Sequence, residues 1–407
     1  MDTEDHISQA DISQKLLHYV SDVMDVLDVT SGGEQEGYAI RFRGTLTIDS
    51  EEAFKMLDPL FADHDMTLLF REEGADQFII GMPGTIPKKR SNPWINLILF
   101  LLTVFSMLIA GTLYGYEGSA VDDFGQLLTG VAHNLTNGIP FTVGLLSILL
   151  AHEFGHYLAA KNNKTEVTLP YFLPFPGSLF GTLGAFIRLK EPPKNKRGLL
   201  QIGIAGPIAG FIVAIPVLIL GLSLSEIGHL PPTPEAAFGH VLEGNSIFYL
   251  ATKYVVLGEL LPSPIDYGGA SPLFYWGRYF FLGSPIPYGG RDVLLHPLAW
   301  AGWAGLLITA LNLIPAGQLD GGHIVYTLIG DSAKKMWPFI VITLLLMGLV
   351  WPGWYIWAML IFFMGRSYAK PRDEITELDT RHKVLAMSGL VLFILVFMPL
   401  PLITLGT

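Results

Sequence analysis

Residues 142–160 read TVGLLSILLAHEFGHYLAA, an apolar run close to membrane-spanning length that carries His152-Glu153-Phe154-Gly155-His156 in its second half. An ionisable side chain in the hydrocarbon region costs several kcal/mol, so three within five residues indicate a function rather than a packing accident. Helical spacing puts the two histidines one turn apart on one face, where both imidazoles can reach the same metal ion. Glu153 follows His152 directly and can aim at water on that ion. This is the H-E-x-x-H pattern of zinc-dependent peptide hydrolysis, set inside what otherwise reads as a membrane span.

The rest of the composition agrees with a bilayer. Of 407 residues, 51% are hydrophobic and 15% charged, against about 25% charged in soluble proteins. Mean hydropathy is +0.45. Cysteine is absent, which excludes disulfides and thiolate ligands and leaves His, Asp or Glu to hold any zinc. Charge is uneven: residues 1–90 carry eighteen acidic and eight basic side chains, and the remainder eighteen and seventeen. The acidity therefore belongs to an N-terminal soluble segment and argues against a nucleic-acid partner. The N-terminus shows no basic region followed by a short apolar core, so no cleavable signal is expected.

Residues 1–85 alternate helical and strand patterns: helix over 12–27, strand over 38–48, helix over 51–64, and strands over 66–71 and 77–81 joined by a Glu-Gly-Ala-Asp turn. They predict a small α+β domain without a catalytic constellation, suited to docking or regulation. Residues 86–93, with Lys88, Lys89 and Arg90, form a basic linker. Residues 94–407 are the membrane-embedded part, with apolar segments at 94–115, 138–160, 199–224, 296–314, 337–351, 353–366 and 384–404. The fold class is a polytopic α-helical membrane protein of about six to seven transmembrane helices. This count puts Lys88–Arg90, Arg188–Arg197, Lys334–Lys335 and Arg366–Lys383 on one side, as the cytoplasmic preference of basic residues requires. The opposite loops, 116–137 and 226–295, hold only Lys253, Arg278 and Arg291 as Lys or Arg. Pro352-Gly353 breaks 336–365 into a hairpin rather than one long helix. Residues 225–295 read as a loop hugging the membrane.

Catalytic zinc takes three protein ligands and keeps a place for water. Glu166 follows the polar turn 161–164 and reads as facing water. Asp320 is the better third ligand: it sits in Asn312-Leu313-Ile314-Pro315-Ala316-Gly317-Gln318-Leu319-Asp320-Gly321-Gly322, where proline ends regular helix and the glycines let the chain turn back.

With these parts in order, the chain resembles the site-2 protease family of intramembrane zinc metalloproteases over roughly 138–325. The zinc motif at 152–156 is matched by Asn312-x-x-Pro315 with Leu319-Asp320-Gly321. Gly181-Thr182-Leu183-Gly184-Ala185-Phe186 and Ala205-Gly206-Pro207-Ile208-Ala209-Gly210-Phe211 resemble further family blocks. The resemblance implies one Zn2+ held by His152, His156 and Asp320, with Glu153 as general base and Asn312 positioning substrate or the oxyanion. The N-terminal domain and paired C-terminal spans look like the archaeal and plastid-type branch, and 225–295 lacks the strand pattern of the PDZ insert some members carry.

Residues 170–189 are apolar but broken by Pro170, Pro174, Pro176, Gly177, Gly181 and Gly184. Non-helical backbone at membrane depth must be shielded or line a wet cavity, so a re-entrant β-hairpin whose edge pairs with an unwound substrate is expected. Gly203, Gly206 and Gly210 predict close helix packing; His323 and Gln318 flank Asp320 as supporting groups. Expected partners are a transmembrane protein substrate, the lipid bilayer and a soluble regulator of residues 1–85. The protein is expected in the cell membrane with its N-terminal domain cytoplasmic. Two rivals remain: a zinc-binding membrane chaperone or transporter without hydrolysis, and another intramembrane metalloprotease type with a Glu as third ligand.

Overall fold

The computed structural model describes residues 9–32, 37–86, 91–114 and 124–406. Lys88–Arg90 of the linker and residues 116–123 of the loop 116–137 lie outside them.

The N-terminal part runs α1 (Gln9–Ser21), β1 (Met24–Ser31), β2 (Ile40–Leu46), α2 (Ser50–Ala62), β3 (Met66–Glu73) and β4 (Asp76–Pro83). Its antiparallel sheet has the order β1-β2-β4-β3. Leu16 and Val20 of α1 and Phe54, Leu57 and Phe61 of α2 cover Ile40, Phe42, Leu68 and Phe70 on one sheet face. Asp49 starts α2 by accepting from the Glu51 N–H, the usual work of an N-cap carboxylate. The helix expected to continue to residue 27 stops at Ser21. Met24-Asp25-Val26 pairs with Gly44-Thr45-Leu46 of β2 instead, so the strand ladder overrides the helical spacing of the apolar residues.

The apolar part continues α3 (Pro93–Tyr114), α4 (Phe124–His133), α5 (Ile139–Asn162), β5 (Tyr171–Pro174), β6 (Thr182–Phe186) and α6 (Lys196–Ser223). Beyond it come β7 (Glu226–His229), β8 (Val241–Glu243), α7 (Ile247–Leu257), α8 (Pro272–Leu282) and β9 (Arg291–Leu294). The chain ends with α9 (Pro297–Asn312), α10 (Asp320–Ile329), α11 (Trp337–Met347), α12 (Gly353–Met364), α13 (Thr380–Val396) and β10 (Leu402–Thr404).

Among the described residues, three helices are long and apolar enough to cross a membrane: Pro93–Tyr114, Leu135–Asn162 and Lys196–Ser223. The other four expected spans are shorter helices. α9 has 16 residues, about 24 Å at 1.5 Å per residue; α11 has 11, α12 has 12 and α13 has 17. Prolines explain much of the shortening: Pro315 follows α9, Pro352 separates α11 from α12, and Pro399 and Pro401 follow α13. The break at Pro352 gives the two-helix arrangement expected for 336–365.

α5 packs against α6 and α9, around a core that includes Leu145, Ile148, Leu218, Trp303 and Leu306. The hairpin β5–β6 pairs Tyr171 with Phe186 and Phe172 with Ala185 and lies along α3. Buried polar side chains of α3 satisfy its backbone: Asn96 Nδ2 donates to the Leu169 and Pro170 carbonyls at 2.9 Å, and Ser106 Oγ donates to the Gly181 carbonyl. Non-helical backbone of this kind would otherwise carry unpaired carbonyls into apolar surroundings.

The strap between α12 and α13 ties the two parts together. The Phe70 N–H of edge strand β3 donates to the Arg372 carbonyl at 2.9 Å, and the Glu374 N–H returns to the Phe70 carbonyl at 3.1 Å. On the other side Arg372 and Asp373 donate to the carbonyls of Pro193 and Lys194 just before α6, each at 2.8 Å. Asp373 is fully buried and accepts from the Ile375 and Thr376 N–H groups and the Thr376 hydroxyl. Arg372 pairs with Asp58, and Arg197 with Glu51 at 2.8 Å.

Replacing Asp373 with Ala strands the buried Thr376 N–H, at about 1–3 kcal/mol, and the half-buried Ile375 N–H. D373A should therefore be cut by protease within 84–92 at least tenfold faster than the parent chain; an unchanged cleavage rate would show that the strap does not fasten the domain.

Candidate active site

The site is assembled from two ends of the apolar part. α5 brings His152, Glu153 and His156, all buried, and the Pro315–Leu319 turn after α9 returns the chain so that α10 begins on Asp320. That turn depends on glycine. Gly317 adopts φ +56°, and a Cβ on Gly321 would strike the Leu313 and Ile314 carbonyls. Both are positions that exclude a side chain.

Three ligand-type atoms converge there. His152 Nε2 and His156 Nε2 are 3.1 Å apart, and Asp320 Oδ2 lies 3.2 Å from the first and 3.4 Å from the second. Nitrogen and oxygen ligands at about 2.0–2.1 Å around a tetrahedral zinc would be separated by about 3.3 Å. The triangle therefore fits such an ion, and among the described residues this is the His/Cys/Asp/Glu group that could hold a metal.

The surrounding contacts fit the same assignment. His156 Nδ1 lies 2.6 Å from the Ile202 carbonyl of α6. A carbonyl can only accept, so Nδ1 carries the proton and Nε2 presents its lone pair toward the other two ligands. Asn312, the last residue of α9, places Nδ2 3.5 Å from His152 Nε2. Glu153 keeps Oε2 buried and without a partner, and the Ile187 N–H at the end of the hairpin faces its carboxylate. A cavity of about 230 Å³ is lined by these groups together with Ala185, Phe186, Gln318, Leu319 and His323. A substrate or water would meet Glu153 there.

Every residue singled out from the sequence for this site, His152, Glu153, His156, Asn312 and Asp320, lines this one cavity. Glu166 does not: it stands half exposed, 3.8 Å from Lys161. His296 caps the far end of α9 by accepting from the Leu298 N–H. The glycines expected only to let helices pack have a sharper task. A Cβ on Gly206 would fall on the His156 ring, one on Gly210 would press His152, and one on Gly203 would press His323. Sequence reading missed the Ile202 carbonyl and the Ile187 N–H, since a backbone group carries no residue-type signal. The G-x-x-G-x-x-x-G spacing on α6 was the available hint that the helix turns a bare face toward α5.

The pattern that defines peptidase family M50 matches residues 140–349. Among curated proteins the chain is 29% identical to "Probable zinc metalloprotease EGY1, chloroplastic" of Arabidopsis thaliana, over 78% of this chain and 56% of that protein. It is 28% identical to "Probable zinc metalloprotease EGY2, chloroplastic" of Oryza sativa subsp. indica, over 93% of this chain and 64% of that protein. Against the Arabidopsis EGY2 the identity is 32%, over 66% and 43%. The chain thus spans about two fifths to two thirds of the length of these relatives. No solved structure matches it. With more than half of its length matched and its histidine pair and distant aspartate converging in one cavity, the chain belongs to peptidase family M50, the site-2 protease family.

Proposed function

We propose that the protein is an intramembrane zinc endopeptidase that hydrolyses peptide bonds of transmembrane substrates, in the manner of regulated intramembrane proteolysis. The observation that carries this reading is the convergence of His152, His156 and Asp320 on one buried point, with the unpartnered Glu153 carboxylate oxygen in the same cavity. A zinc-binding chaperone or transporter has no use for a carboxylate oxygen left unpaired beside the ligand set.

His152, His156 and Asp320 would hold the zinc. When bound, the ion supplies Lewis acidity and lowers the pKa of water toward neutrality. Glu153 accepts a proton from the attacking water and passes it to the leaving amide nitrogen. Asn312 offers an N–H to the developing oxyanion, the type of contact often worth about 3 kcal/mol. The Ile202 carbonyl keeps the His156 ring in the tautomer that presents Nε2. The hairpin edge at 185–187 borders the cavity and supports an extended substrate by strand pairing; a helical peptide would keep its carbonyl groups bonded and shielded.

The basic runs 188–197, 334–335 and 366–383 fall at the end of the bundle where residues 9–83 dock. The preference of basic residues for the cytoplasmic side supports a cell-membrane protein with its N-terminal domain in the cytoplasm and its active site near that face. The acidic N-terminal domain would receive a soluble regulator. The plant relatives are named chloroplastic, and that compartment is theirs.

Three outcomes test the reading. Glu153→Gln should retain one zinc per chain and lose cleavage of a membrane-span substrate by at least 10³-fold, whereas Asp320→Ala should lose the zinc itself; full activity in Glu153→Gln would remove the assigned base. Gly206→Ala should lower zinc affinity about 10–100-fold by displacing the His156 ring from its place under the Ile202 carbonyl, read by metal analysis after dialysis against a weak chelator; retained zinc would show that the ring has room to move. A substrate peptide N-methylated at alternate positions flanking the scissile bond should be cut about tenfold more slowly for each hydrogen bond lost; equal rates would exclude strand pairing.

A further inference from the structure

A cluster of charged side chains is also buried at the opposite end of the bundle, in the loop region 225–295. Glu243 of β8, Lys253 of α7 and Asp292 of β9 are 4%, 0% and 3% exposed. Lys253 Nζ lies 3.4 Å from Glu243 Oε1 and 4.5 Å from the centre of the Tyr249 ring, and the Tyr249 hydroxyl donates to the same Oε1 at 3.0 Å. Asp292 Oδ1 accepts from the Val293 N–H at 2.8 Å. From α8, the Tyr279 hydroxyl is buried without a partner and feels the charge of both carboxyls. On β7 the strand partner of Asp292 is Gly228, which brings no charge. The ionisable groups facing Asp292 are therefore Glu243, Lys253, Tyr249 and Tyr279.

Two carboxyl groups are buried here with one ammonium, and that ammonium is paired with Glu243. An uncompensated buried charge costs several kcal/mol, and proteins commonly discharge it by taking up a proton. We propose that the cluster is a proton-binding site: one proton held by the buried Asp292 carboxyl fastens the 225–295 cap to the membrane bundle.

The connections give the proton something to fasten. β8 pairs with β10 after α13, and the neighbouring Gly244 accepts from the Trp303 indole N–H at 2.8 Å. β9 leads within two residues to His296, the N-cap of α9. Loss of the proton leaves a second buried anion where one ammonium is already paired with Glu243, which favours opening of the cap where it meets α9 and α13.

Burial, then the Glu243 carboxylate, push the Asp292 carboxyl up to about 7, with Lys253 pulling the other way. Its value when the cap is open is that of a free carboxyl, about 3.9. A raised carboxyl stabilises the closed cap fully below the open-state value, and that contribution disappears as pH rises through 7.

The test is hydrogen exchange of the full-length protein in detergent, followed by mass spectrometry of peptides covering 241–257 and 288–296, with rates corrected for intrinsic pH dependence. Protection should fall about tenfold from pH 6 to pH 8, the change that one proton with a value near 7 confers. In Asp292→Asn, which keeps the shape and needs no proton, protection should not vary with pH. Glu243→Gln serves as the second variant: burial still raises Asp292 but the second carboxylate is gone, so the fall between pH 6 and pH 8 should be smaller and shifted to lower pH. Exchange in 139–162 reports that each variant is folded. A wild-type protein without pH dependence, or variants that keep the tenfold fall, would overturn the proton site.

Discussion

At Gly206 the backbone of α6 comes so near the His156 ring that no side chain fits between them. On this close approach the end of the molecule that holds the histidine pair depends. Imidazoles and carboxylates in an apolar bundle must find partners or be expelled, and α6 contributes the Ile202 carbonyl within reach of His156 Nδ1 because its face is stripped to glycine there. A bulkier helix would leave the ring both crowded and unbonded. Gly210 and Gly203 extend the same bare face to His152 and His323, so one helix determines the rings on both α5 and α10.

The hairpin answers a second demand of the same kind. Backbone that is neither helix nor closed sheet needs donors and acceptors supplied by its neighbours. Asn96 and Ser106 of α3 satisfy carbonyls of the hairpin and the chain before it, which leaves residues 185–187 to line the cavity with Glu153. The polar residues of α3 look out of place in a span with a mean hydropathy of 2.3. Their task becomes visible only once the hairpin lies against them.

Much of this was legible in the chain. His152, Glu153 and His156 announce themselves by spacing, and Asp320 by the prolines and glycines that bend its segment. The strands of the N-terminal domain follow from alternation, although Met24-Asp25-Val26 shows how a strand can borrow residues that also satisfy helical spacing. Helix lengths were harder. Hydropathy averages over proline, so α9, α11, α12 and α13 read longer than they fold. Long-range pairing was hidden altogether. Nothing in Arg372-Asp373-Glu374 as a sequence indicates that it will lie between β3 and the chain before α6, because main-chain bonding of that kind is indifferent to side-chain type. The burial of Lys253 was equally hidden: among the few basic residues of its loops it reads as a solvent-facing charge, and only the fold encloses it with two carboxyls.

The strap at 372–374 bonds on both sides, to Phe70 and to residues 193–194. A protein trimmed to begin at residue 93 would therefore lose more than an appendage. The outer main-chain groups of Arg372 and Glu374 would be left open beside the start of the very helix that frames the histidines, forming a raw sheet edge of the sort that recruits other chains. The acidic domain is in this sense a lid over a sticky seam, and its removal should be read as an injury to the membrane part before it is read as the loss of a regulator.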